Sequence, residues 1–206
     1  MLQILPTSFF EGPDVVSIAR ELLGKIIETR IGGRVTSGRI VETEAYVAFT
    51  DKASHAFSGR RTPRNEDMYG PPGTSYVYIC YGLHRMFNVV TNKAGIPDAV
   101  LVRAVEPVSG IPVMLKRSNK TVADASLTRG PGNTGRALGI EKRHSGNPLQ
   151  QGPIRLLFDP DEIPDETGIG ISTRIGVASS GADAMRPYRF FVQGNPYVSG
   201  PGSKRG

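Results

Sequence analysis

The stretch YVYICYGLHRMFNVV, residues 76–90, decides the fold class, because its pattern predicts two strands joined by a tight turn. The apolar and aromatic runs YVYIC and RMFNVVT flank YGLH, whose glycine suits a hairpin connection. A third apolar run, DAVLVRAVEP at residues 98–107, follows after a short loop. Three sequential strands with short connections predict an antiparallel meander rather than a parallel βαβ arrangement.

Outward from this meander, the pattern alternates between helices and short strands. An amphipathic helix is predicted within DVVSIARELLGKII, residues 14–27, with a cap at Asp14 and a stop near Gly24. The runs IIETRI and VTSGRIVETEAYV on either side of a Gly-Gly turn predict a second hairpin. Further helices are predicted near VSGIPVMLKRS and NTGRALGI, and later strands at IRLLFD, RIGVA and YRFFVQ.

This order of elements predicts an α+β fold. The 206 residues are enough to bury a sizeable core within one domain. We therefore expect a single mixed domain over residues 1–200, followed by a flexible tail at 201–206.

The charge of the chain indicates a polyanionic partner. Its net charge is +6, and 18 of the 25 basic residues are arginine, whose planar guanidinium suits phosphate. A surface charge that only keeps the protein in solution is the alternative.

Signals for membrane insertion, export, disulfide formation and metal binding are weak in this sequence. No apolar run approaches the roughly 20 residues of a membrane-spanning helix, and the first residues lack a basic signal region. The single cysteine, Cys80, excludes an internal disulfide and a cysteine-rich zinc site, and three scattered histidines predict no structural metal. We expect a cytoplasmic protein with no membrane association.

Two glutamates in RIVETEAYV, residues 39–47, are candidates for chemistry. Period-two alternation places Glu42, Glu44 and Tyr46 on one side of a strand. Paired carboxylates at this spacing suit acid–base work on a glycosidic bond, whereas on a solvated strand they are only surface charge. Arg103, inside the apolar run AVLVRAVEP, needs a carboxylate or a ligand if it is buried, and Glu44 is a candidate partner.

A basic loop is a candidate for phosphate contacts. GRRTPRN, residues 59–65, supplies Arg60, Arg61 and Arg64 in a flexible setting where they can hydrogen-bond phosphate oxygens. A solvated loop is the alternative.

The rings of the opening stretch divide into two kinds. Tyr76 and Tyr78 suit core or cross-strand packing. Tyr81 stands at the turn beside Gly82, where we expect an exposed ring that, flanked by Arg85, is able to wedge into a base stack.

Several segments together resemble the alkyladenine (3-methylpurine) DNA glycosylase family. The resemblance extends from about residue 6 to residue 199 and keeps the family's order and spacing. The segments that carry it are GRIVETEAY, DKASHAFSGRRTPRN, PPGTSYVYICYGLHRMFNVV, AVLVRAVEP, LTRGPGNTGRALGI and RPYRFFVQGNPYVS.

The resemblance implies a base-excision repair enzyme that acts as a monomer on duplex DNA containing damaged purines, in a bacterial-type nucleoid. Such an enzyme flips an alkylated or deaminated purine out of the duplex, of the class of 3-methyladenine, 7-methylguanine, hypoxanthine and ethenoadenine. Water then cuts the N-glycosidic bond, without a metal, an organic cofactor or lyase activity. The implied architecture is a central, mainly antiparallel curved β-sheet with flanking helices and a protruding β-hairpin.

Catalytic roles follow from the positions that match the family's motifs. By this resemblance, Glu44 is the general base that activates the water, and Arg103 helps to hold that water. Tyr81 occupies the gap that the flipped nucleotide leaves, while the basic loop and Arg85 contact DNA.

The resemblance also implies a pocket for the flipped base. Tyr46, Tyr78 and His55 form the walls that stack on it, and the backbone at His55 reads its edge. Asn88 crowds the position of a normal guanine's exocyclic amine. Gly176 and Val177 contribute backbone to the pocket.

Two other functions compete with this interpretation. A non-catalytic DNA-binding relative needs the arginines and Tyr81 but not Glu44 and Arg103, both of which are present. A carbohydrate hydrolase is able to use Glu42 and Glu44 but does not need the basic excess or an exposed Tyr81.

Overall fold

The predicted meander forms one side of a large open antiparallel sheet. A computed structural model describes residues 1–160 and 168–200. Its strands are β1 (Gln3–Ile4), β2 (Ile26–Ile31), β3 (Arg34–Tyr46), β4 (Ser75–Cys80), β5 (His84–Thr91), β6 (Asp98–Ser109), β7 (Ile154–Phe158), β8 (Ile169–Ser172) and β9 (Arg189–Val192). Its α-helices are α1 (Val15–Glu21), α2 (Ile111–Ser118) and α3 (Pro131–Leu138). Short 3-10 helices span Thr7–Phe9, Glu66–Tyr69, Ala125–Leu127, Lys142–His144 and Ala178–Met185.

The long strand β3 organises the sheet. The strand order is β1-β7-β2-β3-β6-β5-β4, and each described strand pair is antiparallel. The first half of β3 pairs with β2, while Glu42–Glu44 pairs with β9, which also pairs with β8. The register between β3 and β6 shifts between Ile40 and Thr43, and such irregularities bend a sheet locally.

The helices cover one face of this sheet. Asp14 caps α1 by accepting hydrogen bonds from the backbone N–H groups of Val16 at 3.0 Å and Ser17 at 3.1 Å. Apolar residues of α1, α2 and α3 join alternate residues of β3, β5 and β6 in the main hydrophobic core. The opposite face of β3, β4, β5 and β6 is therefore not covered by the α-helices.

Most predictions for the elements are confirmed. The mixed α+β class, the capped first helix, both hairpins and the meander are present. The predicted strand at RIGVA is wrong: residues 174–177 are irregular, and the strand is Ile169–Ser172, just before them. The predicted tail, 201–206, lies outside the described residues. No helix in the described part of the chain has both the length and the apolar character needed to cross a membrane.

A glycine allows α3 to lie directly against β5. A Cβ atom on Gly135 would lie 2.2 Å from the backbone oxygen of Arg85, well inside van der Waals contact. Because glycine has no side chain, α3 is able to lie this close to β5, the strand that carries Asn88.

We expect Gly135→Ala to destabilise the fold by roughly 1–3 kcal/mol, although alanine is the better helix former in isolation. The added methyl group has to push a backbone carbonyl, which cannot rotate away as a side chain would. Urea unfolding of the variant would measure the change in free energy. Gly12→Ala is the control, because its Cβ would approach nothing nearer than Ile18 at 3.8 Å. A Gly135→Ala variant as stable as that control would contradict the close approach.

Candidate active site

The face of β3 to β6 that the helices leave open forms a cleft of about 680 Å³. Strand residues supply its floor and part of its walls: Tyr46, Tyr76, Tyr78, Cys80, Met86, Asn88, Ala99, Leu101 and Arg103. Residues of loops and of the 3-10 helix Ala178–Met185 form its rim and the rest of its walls: Lys52–His55, Arg60, Thr62, Arg64, Asn65, Ile175–Val177, Ser179 and Ser180. We call this space the aromatic cleft.

Glu44 lies directly beneath the aromatic cleft. It has no exposed surface, and each of its carboxylate oxygens accepts from a residue that lines the cleft. The backbone N–H of Ile175 donates to Oε1 at 2.7 Å, and the Tyr46 hydroxyl donates to Oε2 at 2.8 Å. Nη1 of Arg103 lies 3.2 Å from the same Oε1. A carboxylate held in this way keeps a defined orientation.

Arg103 bridges the two glutamates. Its Nε donates to Oε1 of Glu42 at 2.8 Å, and Nη2 donates to Oγ of Ser199 at 3.2 Å. Burial opposes the charge on this guanidinium, but the carboxylates of Glu44 and Glu42 outweigh it and raise the pKa of Arg103. The predicted pairing of Arg103 with Glu44 is confirmed, and the solvated alternative for both glutamates is wrong because neither is exposed.

The irregular pairing of β3 with β6 brings Arg103 to this position. Glu42 pairs with Ala104 and Thr43 pairs with Val102, so the register shifts across Arg103. Shifts of this kind re-aim side chains near functional sites.

Tyr46 is stacked on a second buried ion pair. Arg174 donates from both of its terminal nitrogens to the carboxylate of Asp51, and also to the carbonyl oxygens of Ala45 at 2.9 Å and Asp183 at 3.0 Å. Its guanidinium carbon lies 4.8 Å from the ring centroid of Tyr46. Burial, together with the carboxylate of Glu44, raises the pKa of Tyr46 well above its usual value, so its hydroxyl stays protonated and donates.

The opposite wall is an aromatic group around His55. The imidazole lies edge-on to Tyr78, with 4.6 Å between ring centroids, and its Nδ1 is 2.8 Å from the hydroxyl of Tyr76. Burial, reinforced by the positive charges of Arg64 and Arg60, lowers the pKa of His55 to about 4. The imidazole is therefore neutral at physiological pH.

Asn88, Gly176 and Val177 also line the aromatic cleft. The amide nitrogen of Asn88 donates to the carbonyl oxygens of Tyr76 at 3.1 Å and Met86 at 3.2 Å, which fixes its orientation. Gly176 and Val177 directly follow Ile175, whose N–H holds Glu44.

The hairpin between β4 and β5 carries Tyr81 at its tip. Tyr81 is 95% exposed, and the backbone at Tyr81 and Gly82 has φ values of 51° and 68°, as in a tight hairpin turn. Tyr81 lines the outer edge of the aromatic cleft together with Arg60 and Arg64.

Two of the predicted DNA contacts lie away from the cleft lining. Nε of Arg61 donates to the exposed Glu66 carboxylate at 2.9 Å, and Nε of Arg85 lies 3.3 Å from Oε2 of Glu141. Both arginines are thus already paired with acidic side chains.

Sequence reasoning missed the partners of the buried carboxylates that come from the later part of the described chain. Arg189 and Ser199 both contact Glu42, and Arg174 contacts Asp51. Arg189 interrupts the apolar run YRFFVQ, which is the same signal that singled out Arg103. Tyr76, which packing alone explained, contacts His55 through its hydroxyl.

Metal-ligating side chains are dispersed in the described ranges, 1–160 and 168–200. No group of three or more histidine, cysteine, aspartate or glutamate residues lies there in a position to hold a metal ion.

The chain is similar to a known family over most of its length. Residues 8–196 match the model of the methylpurine-DNA glycosylase (MPG) family. Over 201 residues, the chain is 42% identical to a protein of Bacillus thuringiensis (strain Al Hakam) named "Putative 3-methyladenine DNA glycosylase". Proteins of the same name from Bacillus cereus (strain AH820) and Bacillus anthracis (strain CDC 684 / NRRL 3495) have the same identity. Each alignment covers 94% of this chain and 98% of the relative.

These matches confirm the family that the sequence motifs indicated. The chain therefore belongs to the methylpurine-DNA glycosylase family and is a DNA glycosylase, a hydrolase of N-glycosyl bonds that serves base excision repair.

Proposed function

We propose that this enzyme flips alkylated or deaminated purines out of duplex DNA into the aromatic cleft and releases them by hydrolysis, acting as a cytoplasmic monomer without lyase activity. The observation that carries the proposal is the buried Glu44 carboxylate, held by Arg103, Tyr46 and Ile175 directly beneath that cleft. A base inside a duplex is out of reach of such a carboxylate, so the nucleotide has to leave the stack first.

In this mechanism Glu44 is the general base. Cleavage of the N-glycosidic bond builds positive charge on the sugar, and an ionised carboxylate both orients the attacking water and stabilises that charge. Glu44 has no exposed surface, whereas Tyr46, Arg103 and Ile175 are in contact with both Glu44 and the cleft. The water is therefore proposed to enter between these three residues when the base is bound.

The walls of the aromatic cleft suit a purine ring. Tyr46 on one side, and His55 with Tyr78 on the other, offer aromatic surfaces of the kind that stack on bases. Since His55 is neutral, the wall does not repel a purine that carries a positive charge from alkylation. Asn88 is proposed to screen the base, because its amide is held in one orientation on the cleft floor.

The proposed contacts with DNA are supported by the exposure of Tyr81 and by the charges of Arg60 and Arg64. Tyr81 is proposed to fill the gap left by the flipped nucleotide, since it is exposed at the tip of a hairpin beside the cleft. Arg60 and Arg64 are proposed to contact the phosphates next to that gap.

A carbohydrate hydrolase with two catalytic carboxylates receives less support. Oε1 and Oε2 of Glu42 accept hydrogen bonds from Arg103, Arg189 and Ser199, and the residue has no exposed surface. Of these three partners only Arg103 lines the aromatic cleft, whereas Arg103, Tyr46 and Ile175, which hold Glu44, all line it. Glu42 is therefore less suited than Glu44 to act on a substrate in the cleft.

The direct test is release of free base from a panel of duplexes that carry hypoxanthine, ethenoadenine, 3-methyladenine or 7-methylguanine. We expect release of at least one of these bases, with a DNA strand that stays intact until alkali is added.

Glu44→Gln tests the general base. The variant is expected to bind the lesion-bearing duplex with unchanged affinity and to lose at least about 100-fold in the rate of base release, because an amide does not accept the proton of water. Glu28→Gln on the remote strand β2 is the control. Substantial base release by Glu44→Gln would remove Glu44 from the mechanism.

Tyr81→Ser tests the hairpin tip. We expect weaker base extrusion, seen as a smaller rise in fluorescence from 2-aminopurine placed beside the lesion, because the serine leaves the gap in the stack unfilled. Val122→Ser, which removes another exposed apolar side chain, serves as the control. A fluorescence change equal to that of the wild type would exclude the wedge role.

His55 predicts the shape of the pH profile. Because its pKa is lowered to about 4, the neutral form persists well below the usual pKa of histidine, and no change in its charge occurs between pH 5.5 and 8. We expect the profile of base release in that interval to keep its shape in His55→Gln, whatever the change in absolute rate. A transition near pH 6.5 that is present in the wild type and lost in the variant would contradict this assignment.

A further inference from the structure

Arg103, the positively charged partner of Glu44, is itself held by Glu42 and Ser199. Glu42 is fully buried and accepts from Nε of Arg103 at 2.8 Å and from Nε of Arg189 at 2.7 Å, both through Oε1. Its other oxygen, Oε2, accepts from the backbone N–H of Ser199 at 2.9 Å and from its hydroxyl at 2.8 Å. The carboxylate therefore has donors on both oxygens.

Ser199 contacts Glu42 and also both of the arginines that Glu42 holds. Its hydroxyl oxygen also accepts from Nη2 of Arg103 at 3.2 Å, and its carbonyl oxygen accepts from Nη2 of Arg189. The segment that carries Ser199, residues 195–199, is anchored nearby by Val198, which is fully buried, and by Asn195, whose amide donates to Glu106 at 2.9 Å. A segment far along the chain thus completes the shell around Arg103.

Each nitrogen of the Arg103 guanidinium contacts a different residue. Nε faces Glu42, Nη2 faces Ser199, and Nη1 faces Glu44. The planar fork of arginine cannot turn without giving up all three, so its first two contacts fix the direction of the third. Charge balance acts in the same sense, because Glu42 is also paired with a second buried guanidinium, that of Arg189.

We propose that Glu42 and Ser199 are positioning residues for base hydrolysis, which hold Arg103 in the orientation that presents Glu44 and its water to the scissile bond. This inference rests on the proposed function. Neither residue lines the aromatic cleft, so both act on the hydrolytic step through Arg103 and leave recognition of the duplex unchanged.

The test separates chemistry from binding by single-turnover base release with enzyme in excess, using whichever duplex of the lesion panel the wild type cleaves fastest. For Glu42→Gln we expect a rate lower by roughly 10- to 100-fold, as for a small misplacement of a catalytic group. For Ser199→Ala we expect a loss of about fivefold, equivalent to one hydrogen bond. Affinity for the same duplex, measured by fluorescence anisotropy, should stay within about twofold of wild type in both variants, because Arg103 is oriented only for the chemical step.

Glu106→Gln is the matched control. Its carboxylate lies on the same strand as Arg103 and holds the same 195–199 segment through Asn195, but it does not contact Arg103. We expect the wild-type rate in this variant. If Glu42→Gln does not fold, Ser199→Ala and Glu106→Gln decide the question on their own.

Two results would overturn the inference. One is a folded Glu42→Gln or Ser199→Ala variant with the rate of Glu106→Gln. The other is a loss of rate matched by an equal loss of affinity, which would place these residues in recognition or in general stability. If the wild type releases no base from any duplex of the panel, the proposed function fails instead, independently of these variants.

Discussion

The structure depends on one constraint, the burial of Arg103 between Glu42 and Glu44. Removing charges from water costs several kcal/mol per ion unless each charge is closely paired. The protein meets that cost by bringing β3, β6, β9 and the segment at residues 195–199 to a single point. The irregular register of β3 against β6 falls at the same place, so the bend of the sheet and the arrangement of the ion cluster have a common location.

The strands of the meander serve two purposes on their two faces. One face carries apolar residues such as Val100 and Val102, which pack with the helices in the core. The other carries Leu101 and Arg103, which line the aromatic cleft. Side chains of neighbouring residues are thereby locked into opposite environments, and the packing of the core holds the geometry of the cleft. A site built on strands in this way is more rigid than one built on loops.

Local patterns in the sequence predicted the parts of the fold that depend on neighbouring residues. Alternation in RIVETEAYV placed Glu42 and Glu44 on one side, and the turn at Tyr81 and Gly82 predicted the hairpin. Partners distant in sequence could not be predicted: Ser199 reaches Glu42 across 157 residues, and Arg174 reaches Asp51 across 123. The strand placed at RIGVA was wrong because Arg174 and Ile175 are held by side-chain and loop contacts, which leave no periodic signal. The burial of Glu42 and Glu44 likewise depends on Arg103, and that of Glu42 also on Arg189.

The left-handed backbone conformation at Tyr81 is unfavourable for the stability of the fold, whereas the exposed ring that it presents is proposed to act in the site. Asparagine or glycine adopts this conformation with less strain than a bulky aromatic residue. Packing of the side chain does not offset this strain, since the residue is 95% exposed. A procedure that engineers proteins only for thermostability would therefore replace this tyrosine. Library designs based on this scaffold should keep position 81 fixed, and they should seek stability on the helical side of the sheet.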